Sequence, residues 1–393
     1  MRHPLIIALL GTVLCTRAAL ALEAVGTLKK VDAENQRLTV FANGQDRFLK
    51  VADDVKLLGT DGKPLDGGLK SAALKPGTVV TVTVEFEDGR PVLRALRLGD
   101  VAGRLAGNAA ALEGKPTTGI KPLTDMSAGD TYKGEDGGLY GGYRNEPPPA
   151  LRERAEAETT RIVPLDAQGK PAPGGKIGLV SLSMSNATME FSAFKQLADA
   201  DPDKSPDVAI VDCAQGGQAM AQWVDPHGRA WTEADRRLAD ARVRPEQVQV
   251  IWVKLANVRP TGTLREHGEK LGRDTAKLLQ NARQRFPNLR IAYLSGRIYG
   301  GWAVTPLNPE PYAHESNLVV RWMIRDQAGG DPGPNHEPAR GAVEAPLLLW
   351  GPYLWADGTT PRKTDGLVWE QQALAADGTH PSPAVVGKWP RCS

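Results

Sequence analysis

Five short apolar runs, separated by segments with helical periodicity, fill the sequence from residue 176 to residue 350. The runs cover residues 176–184, 208–213, 248–255, 289–294 and 346–350. They are continuously apolar, which is typical of strands that are covered on both faces of a parallel sheet. Between two of them, Leu264, Leu271 and Leu278 recur at near-helical spacing until Pro287 ends the pattern. This alternation predicts an α/β fold, a doubly wound, flavodoxin-like α/β/α sandwich with a five-stranded parallel sheet.

Residues 22–103 carry the pattern of a small all-β domain. Val80, Val82 and Val84 alternate with polar residues, which is the period of a half-buried strand. Asn43-Gly44 and Asp88-Gly89 are typical hairpin turns. Several short strands at this spacing predict a small closed barrel. Such a barrel could bind an oligosaccharide or act as a spacer, and the lack of an aromatic stripe favours the spacer.

The stretch between these two patterns has few periodic segments. We predict a linker over residues 104–122 and assign residues 123–393 to the α/β domain. Residues 132–143 are rich in glycine and tyrosine, and Pro147-Pro148-Pro149 follows. This composition fits a flexible segment or a set of aromatic loops that line a sugar site, and the sequence leaves both interpretations open.

The first residues have the features of an export signal. Arg2 and His3 precede an apolar stretch, 4–15, that is too short to span a bilayer. Ala19-Leu20-Ala21 fits the small-x-small cleavage pattern, so we predict a signal peptide over residues 1–21 and a mature start at Leu22. The alternative is an uncleaved anchor. The signal predicts a periplasmic or extracellular protein with no stable membrane span after cleavage.

Composition and charge exclude a nucleic-acid partner. Hydrophobic residues make up 41% and charged residues 24% of the chain, as in an ordinary globular protein. Lys and Arg number 48 against 46 Asp and Glu, and the predicted signal removes Arg2 and Arg17. A near-neutral chain has no basic field that would attract a phosphate backbone.

The cysteines carry no metal signature. Cys213 and Cys392 would remain after cleavage, and an oxidising compartment would permit a disulfide between them. Cys213 ends an apolar run, which favours a buried thiol over the bridge. No Cys–His cluster of the zinc type occurs in the sequence, and we predict no metal and no organic cofactor.

Ser185 follows the first apolar run, within Ser183-Met184-Ser185-Asn186. A serine at this place lies at a helix N-terminus, where free backbone N–H groups and the helix dipole could hold an oxyanion. The alternative is a serine that only caps the helix.

A second motif, Asp377-Gly378-Thr379-His380-Pro381, lies near the end of the chain. A carboxylate three residues before a histidine could accept the imidazole Nδ1–H and leave Nε2 to take a serine proton. Alone, the motif could equally be a surface turn. Both loops would leave the same edge of a parallel sheet, so together they predict a Ser-His-Asp arrangement. No Gly-x-Ser-x-Gly elbow occurs, which disfavours a lipase-type hydrolase.

With these blocks the chain resembles the SGNH/GDSL hydrolases. Met184-Ser185-Asn186 is similar to the first block of carbohydrate acetylesterases in that superfamily, and the Asp377–Pro381 motif is similar to the last block. The resemblance implies Ser185 as nucleophile, His380 as general base and Asp377 as the carboxylate that orients it.

The same resemblance implies an oxyanion hole. Its donors would be the backbone N–H groups of Ser185 and Gly216 and the side chain of Asn257, which lacks the family's Gly-x-Asn-Asp context. The segments 212–217, 297–301 and 349–353 further resemble a group of uncharacterised bacterial secreted proteins of this kind, which suggests that residues 123–175 belong to the catalytic domain.

These observations predict a secreted serine esterase that removes an acyl group, with acetyl favoured, from a carbohydrate. Its partner would be a small-molecule or polysaccharide ester substrate. The alternatives are a non-catalytic polysaccharide-binding surface protein and an acyltransferase with the same triad. Aromatic residues after the fourth and fifth runs could stack on a sugar or could pack the loop cores; Asn186 could orient the serine loop or cap its helix. The predicted substrate-binding residues are Asn186, Gly217, Tyr299, Trp302, Trp350 and Tyr353.

Overall fold

A computed structural model describes residues 22–42, 45–87, 90–99, 114–331, 333–375 and 377–382. Within these ranges the chain forms two compact units, which divide close to residue 101. The predicted signal peptide, both predicted hairpin turns, Cys392 and residues 104–113 of the predicted linker lie outside the described residues. Cys213 is buried and has no disulfide partner among the described residues.

The first unit is a closed barrel, in the strand order β1-β2-β3-β5-β4. Strand β3 pairs in parallel with β5, whereas β1–β2, β1–β4 and β4–β5 are antiparallel. The alternation in the sequence places Val80, Val82 and Val84 inside, where they pack with Leu28 and Leu93. The predicted barrel is confirmed. Its strands are β1 Leu22–Asp32, β2 Arg37–Ala42, β3 Gln45–Leu58, β4 Val79–Glu87 and β5 Arg90–Leu98.

The second unit contains a parallel sheet, in the order β10-β9-β8-β6-β7, with helices between the strands. Four of the five predicted runs contain a strand and the run 289–294 covers all of β9 but its last residue, so the predicted five-stranded parallel sheet is confirmed within the described residues. The strands are β6 Ile177–Leu182, β7 Val208–Asp212, β8 Val248–Lys254, β9 Ile291–Ser295 and β10 Leu347–Trp350. The helices are α1 Pro149–Thr159, α2 Ser185–Asp199, α3 Arg229–Asp240, α4 Leu264–Arg285 and α5 Tyr312–Gly329. Short 3₁₀ helices cover Gly68–Lys70 in the first unit and Leu123–Asp125, Met220–Trp223, Pro245–Gln247, Pro338–Arg340 and Gln371–Ala373 in the second.

Both faces of this sheet are packed against apolar side chains, which is why its strands are apolar on both sides. On one face, Phe191 of α2 stacks on Trp252 and packs with Ile210. On the other face, neighbouring strand residues such as Val180 and Ile251 belong to a larger core. Because both faces are covered, we look for the polar side chains of a site in the loops at the carboxyl ends of the strands.

The segment before β6 is bound to this unit by polar contacts. Asp357 accepts hydrogen bonds from the backbone N–H groups of Thr118 (2.7 Å) and Gly119 (2.8 Å), although we predicted residues 114–122 as linker. Farther on, the Tyr132 hydroxyl donates to Glu315 at 2.7 Å, and Arg321 donates to the carbonyl of Asp136 at 2.6 Å. Residues 114–175 are therefore packed structure instead of a flexible connection. Within the described ranges, no helix has the length and apolar character needed to cross a membrane.

Candidate active site

Ser185 is the first residue of α2 and lies three residues after the end of β6. The N-cap position belongs to Met184, and no side chain caps this helix, so the interpretation of Ser185 as a mere cap is wrong. Instead, Ser185 Oγ lies 2.6 Å from His380 Nε2. The strand-to-helix turn thus directs a hydroxyl at an imidazole that is 195 residues away in the chain.

The loop that carries His380 is organised by Asp377. Asp377 Oδ2 lies 2.5 Å from His380 Nδ1, and Oδ1 accepts the backbone N–H groups of Thr379 (2.9 Å) and His380 (3.0 Å). Because one carboxylate oxygen orders the backbone and the other faces the ring, the imidazole has little freedom to rotate. The side chains of His380 and Asp377 are 18% and 27% exposed, so solvent reaches the site.

Two further contacts fix this loop against its neighbours. Asn186 is buried and donates from Nδ2 to the carbonyl of Thr379 at 2.5 Å, so it joins the serine helix to the histidine loop and does not face a substrate. Gly378 has φ +61°, and a Cβ there would lie 1.7 Å from the carbonyl oxygen of Trp302. Only glycine meets both conditions, which accounts for the Asp-Gly-Thr-His sequence.

Asp377 is held in its ionised form. Burial raises the pKa of its carboxyl, but hydrogen bonds from the His380 ring and from the backbone of His380 and Thr379 outweigh burial and lower the pKa to about 2. A carboxylate at this place stabilises an imidazolium and fixes the tautomer that leaves Nε2 free to accept a proton.

Buried charges lie close to the triad, and the sequence analysis missed them. Glu190 of α2 pairs with Lys254 at the end of β8, and the two side chains are 1% and 0% exposed. Burial lowers the pKa of Lys254 to about 8, against the opposing attraction of Glu190. Arg297 is also buried, and its guanidinium interacts electrostatically with both Glu190 and Asp377. Lys254 itself was the sequence feature that could have indicated a buried ion pair, because it is a lysine inside the apolar run 248–255.

Gly216, the predicted oxyanion donor, and Gly217, a predicted substrate-binding residue, follow a segment that is bridged to the serine turn. Met184 and Gln215 form an isolated parallel bridge, and the Gln215 N–H donates to the Ser183 carbonyl at 2.9 Å. Gly216 is half-buried, and its N–H has no hydrogen-bond acceptor among the described residues. Gly217 is exposed at φ +73°.

Asn257 is directed away from this turn. Its Nδ2 donates to Asp274 at 2.7 Å, and its Oδ1 accepts the backbone N–H of Ala221 at 3.0 Å. Among the described residues it makes no hydrogen bond with Ser185 or His380. A part for Asn257 as third oxyanion donor stays a prediction.

The predicted aromatic platform is mostly core. Tyr299 is fully buried and donates its hydroxyl to the carbonyl of Lys115 at 2.8 Å. Trp350 donates to the Leu139 carbonyl, and the Tyr353 hydroxyl accepts the N–H of Leu123, so both are anchored in the packed segment before β6. Trp302 is half-buried and donates to the carbonyl of Trp369. These rings support the loops, which was the alternative that the sequence left open.

Comparison with known proteins does not assign this chain to a family. No family model matches the chain, and no curated protein matches it. Solved structures with some likeness include the periplasmic domain of a lipopolysaccharide acetyltransferase from Salmonella ser. Paratyphi A, with 14% identity over 61% of this chain and 93% of that chain and a TM-score of 0.32. A candidate acylhydrolase from Bacteroides fragilis NCTC 9343 has 10% identity over 61% and 91% of the two chains, with a TM-score of 0.30. Apo-CusF from Escherichia coli has 11% identity over 22% of this chain and 98% of that chain, with a TM-score of 0.18. At these TM-scores the likenesses carry no argument, so the function has to be argued from the site.

Proposed function

We propose that the protein is an exported serine esterase of the SGNH type that removes an acyl group, with acetyl favoured, from a carbohydrate. One observation carries the proposal: a serine hydroxyl 2.6 Å from an imidazole nitrogen whose other nitrogen lies 2.5 Å from a carboxylate. A capping serine or a structural histidine has no need of this chain of contacts. The strand order, with β6 between β7 and β8, is that of a flavodoxin-like sheet, which suits a site at the carboxyl ends of the strands.

In the proposed reaction, Ser185 Oγ attacks the ester carbonyl carbon while His380 Nε2 takes the hydroxyl proton. Asp377 stabilises the imidazolium that forms. The tetrahedral oxyanion collapses as its bond to the sugar oxygen breaks, and His380 returns the proton to that oxygen. Water then attacks the acyl-serine by the same route and releases the carboxylic acid with Ser185 regenerated.

The tetrahedral oxyanion needs donors beside Ser185. The N–H of Ser185 belongs to the first turn of α2, where a helix supplies no internal acceptor. The N–H of Gly216 lies in the segment next to the serine turn and has no acceptor in the described part of the chain. Each such donor is worth about 3 kcal/mol to the transition state.

The test is hydrolysis of p-nitrophenyl acetate by the purified protein and by Ser185→Ala. We expect the variant to lose nearly all of the activity with an unchanged circular dichroism spectrum. Ser192→Ala is the matched control, because Ser192 lies on the same helix and its hydroxyl faces Asp212 at 3.1 Å. Equal rates for the wild type and Ser185→Ala would refute the proposal. Acylated product formed on an added oligosaccharide would show acyl transfer to a sugar in place of hydrolysis.

A further inference from the structure

A cavity of about 340 Å³ opens between the loop after β8 and the first half of α4. Its size is at the lower end of the range for small-molecule sites. Its walls combine apolar surface with polar and charged side chains. The residues that matter here are Ala221, Asn257, Arg259, Thr261, His267 and Tyr312.

The cavity lies at the same edge of the sheet as Ser185. It follows the carboxyl end of β8, and β8 is the direct neighbour of β6, which ends at the serine turn. Ala221 lines the cavity and is five residues after Gly216, so the distance between the Cα atoms of these two residues is at most about 18 Å. The Met220 N–H donates to the carbonyl of Ala256 at 3.0 Å, which ties the segment after Gly216 to the cavity wall.

Most of the charged groups of the cavity are already paired. Lys270 binds Asp274 at 2.5 Å, Glu266 accepts the Thr263 N–H at 2.8 Å, and His267 contacts Glu315. The charges of Lys270 and Asp274 offset each other, whereas Glu266 keeps its negative charge because both of its donors on Thr263 are neutral.

Arg259 is different, because its exposed guanidinium forms no ion pair or hydrogen bond within the described ranges. The residue is held at φ +49°, outside the usual range for a side chain other than glycine, and its N–H donates to the carbonyl of Leu307 at 2.8 Å. The hydroxyls of Thr261 and Tyr312 also have no partner in the described part of the chain. A cation on a held backbone, near hydroxyls that also lack a partner in the described ranges, fits a sugar that carries a carboxylate.

We propose that this cavity binds a uronic acid unit of the substrate, with Arg259 pairing with its carboxylate, so that the esterified sugar occupies the neighbouring site at Ser185. This rests on the proposed esterase function. A guanidinium matches a carboxylate with two parallel hydrogen bonds, which a neutral sugar cannot form. The substrate class is therefore an acylated acidic polysaccharide.

The test is calorimetric titration of the purified protein with trigalacturonate, with neutral cellotriose as the comparison. Neither probe contains an ester, so binding does not depend on catalysis. We expect trigalacturonate to bind at least tenfold more tightly than cellotriose, and Arg259→Gln to weaken its binding by ten- to a hundredfold. Arg259→Lys should bind better than Arg259→Gln because it keeps the charge.

Arg242→Gln is the matched control. Arg242 is also an exposed arginine at positive φ, +55°, but it precedes β8 and so lies at the opposite edge of the sheet. We expect it to bind trigalacturonate like the wild type. Equal affinity for the two trisaccharides, no binding of either, or full affinity in Arg259→Gln would each overturn the proposal. If the wild type does not hydrolyse p-nitrophenyl acetate, the esterase function is refuted instead. Failure of the uronic acid proposal and failure of the esterase function therefore give different results.

Discussion

Replacing Glu190 with glutamine should destabilise the second unit strongly. Glu190 and Lys254 are an ion pair that water does not reach, since their side chains are 1% and 0% exposed. Glutamine keeps the shape of the side chain but removes the charge. Lys254 then remains buried without the carboxylate that offsets its charge, and the buried Arg297 loses Glu190 while it keeps its interaction with Asp377.

The expected loss of stability follows from the burial of Lys254. Its pKa falls from the ordinary 10.5 to about 8, because burial outweighs the attraction of Glu190. That difference corresponds to about 3 kcal/mol against the charged form even with its partner present. Removing one partner of a buried pair costs about 3–5 kcal/mol in general. We therefore expect Glu190→Gln to lower the free energy of unfolding by about 3–5 kcal/mol.

The assay is urea unfolding followed by tryptophan fluorescence, with two controls. Asp199→Asn breaks the Lys195–Asp199 pair on the same helix, whose side chains are each 40% exposed, and should cost less than about 1 kcal/mol. The double variant Glu190→Leu with Lys254→Met replaces the pair by apolar side chains of similar size and should recover most of the loss.

Two results would refute this reasoning. The first is a cost for Glu190→Gln no larger than that for Asp199→Asn, since the buried pair would then behave like a surface pair. The second is a double variant that is as unstable as the single one, since the loss would then not arise from an unpaired charge.

Further predictions concern the histidine loop. Asp377→Asn should lower p-nitrophenyl acetate hydrolysis by about 10⁴-fold with the fold intact, because the ring loses its correct tautomer; a loss below tenfold contradicts this. Because the pKa of Asp377 is about 2 against an ordinary 3.8, its ionised form should add about 2 kcal/mol of stability above about pH 4, lost as the pH falls towards 2. When the free energy of unfolding is measured as a function of pH, the values for the wild type and Asp377→Asn should converge at low pH. A difference between them that stays constant with pH would contradict the lowered pKa of Asp377. Gly378→Ala should lower the activity by about 100-fold, since its Cβ would displace Trp302 or the loop. Gly366→Ala is the control, because Gly366 also has a positive φ, +73°, but no atom lies within 4 Å of its Cβ. This variant should lower the free energy of unfolding by only about 1–2 kcal/mol and keep its activity.

The sheet and the loop from Asp377 to His380 were predictable from the sequence because their signals are local. A strand that is covered on both faces is apolar at most of its positions, and the runs in the sequence show this directly. The loop from Asp377 to His380 contains its own hydrogen bonds, so its residue types and spacing are visible in five consecutive positions.

Features that depend on distant partners were not predictable. Residues 114–122 have the composition of a linker, and their partners in the α/β unit, such as Asp357 and Tyr299, lie more than 180 residues later in the chain. The rings of Tyr299 and Tyr353 follow strands in the sequence as substrate-binding aromatics would, yet each hydroxyl is bonded within the packed segment before β6. Glu190 has no sequence signal that connects it to a lysine 64 residues away.

The central claim is that Ser185 is a nucleophile activated by His380, and a fluorophosphonate that labels activated serines tests it most directly. The purified protein is incubated with the reagent, and the adduct is located by mass spectrometry of its peptides. We expect one adduct per chain, on Ser185, with no labelling of Ser185→Ala and much slower labelling of His380→Ala. An unlabelled wild type, or an adduct on any other serine, would contradict the account.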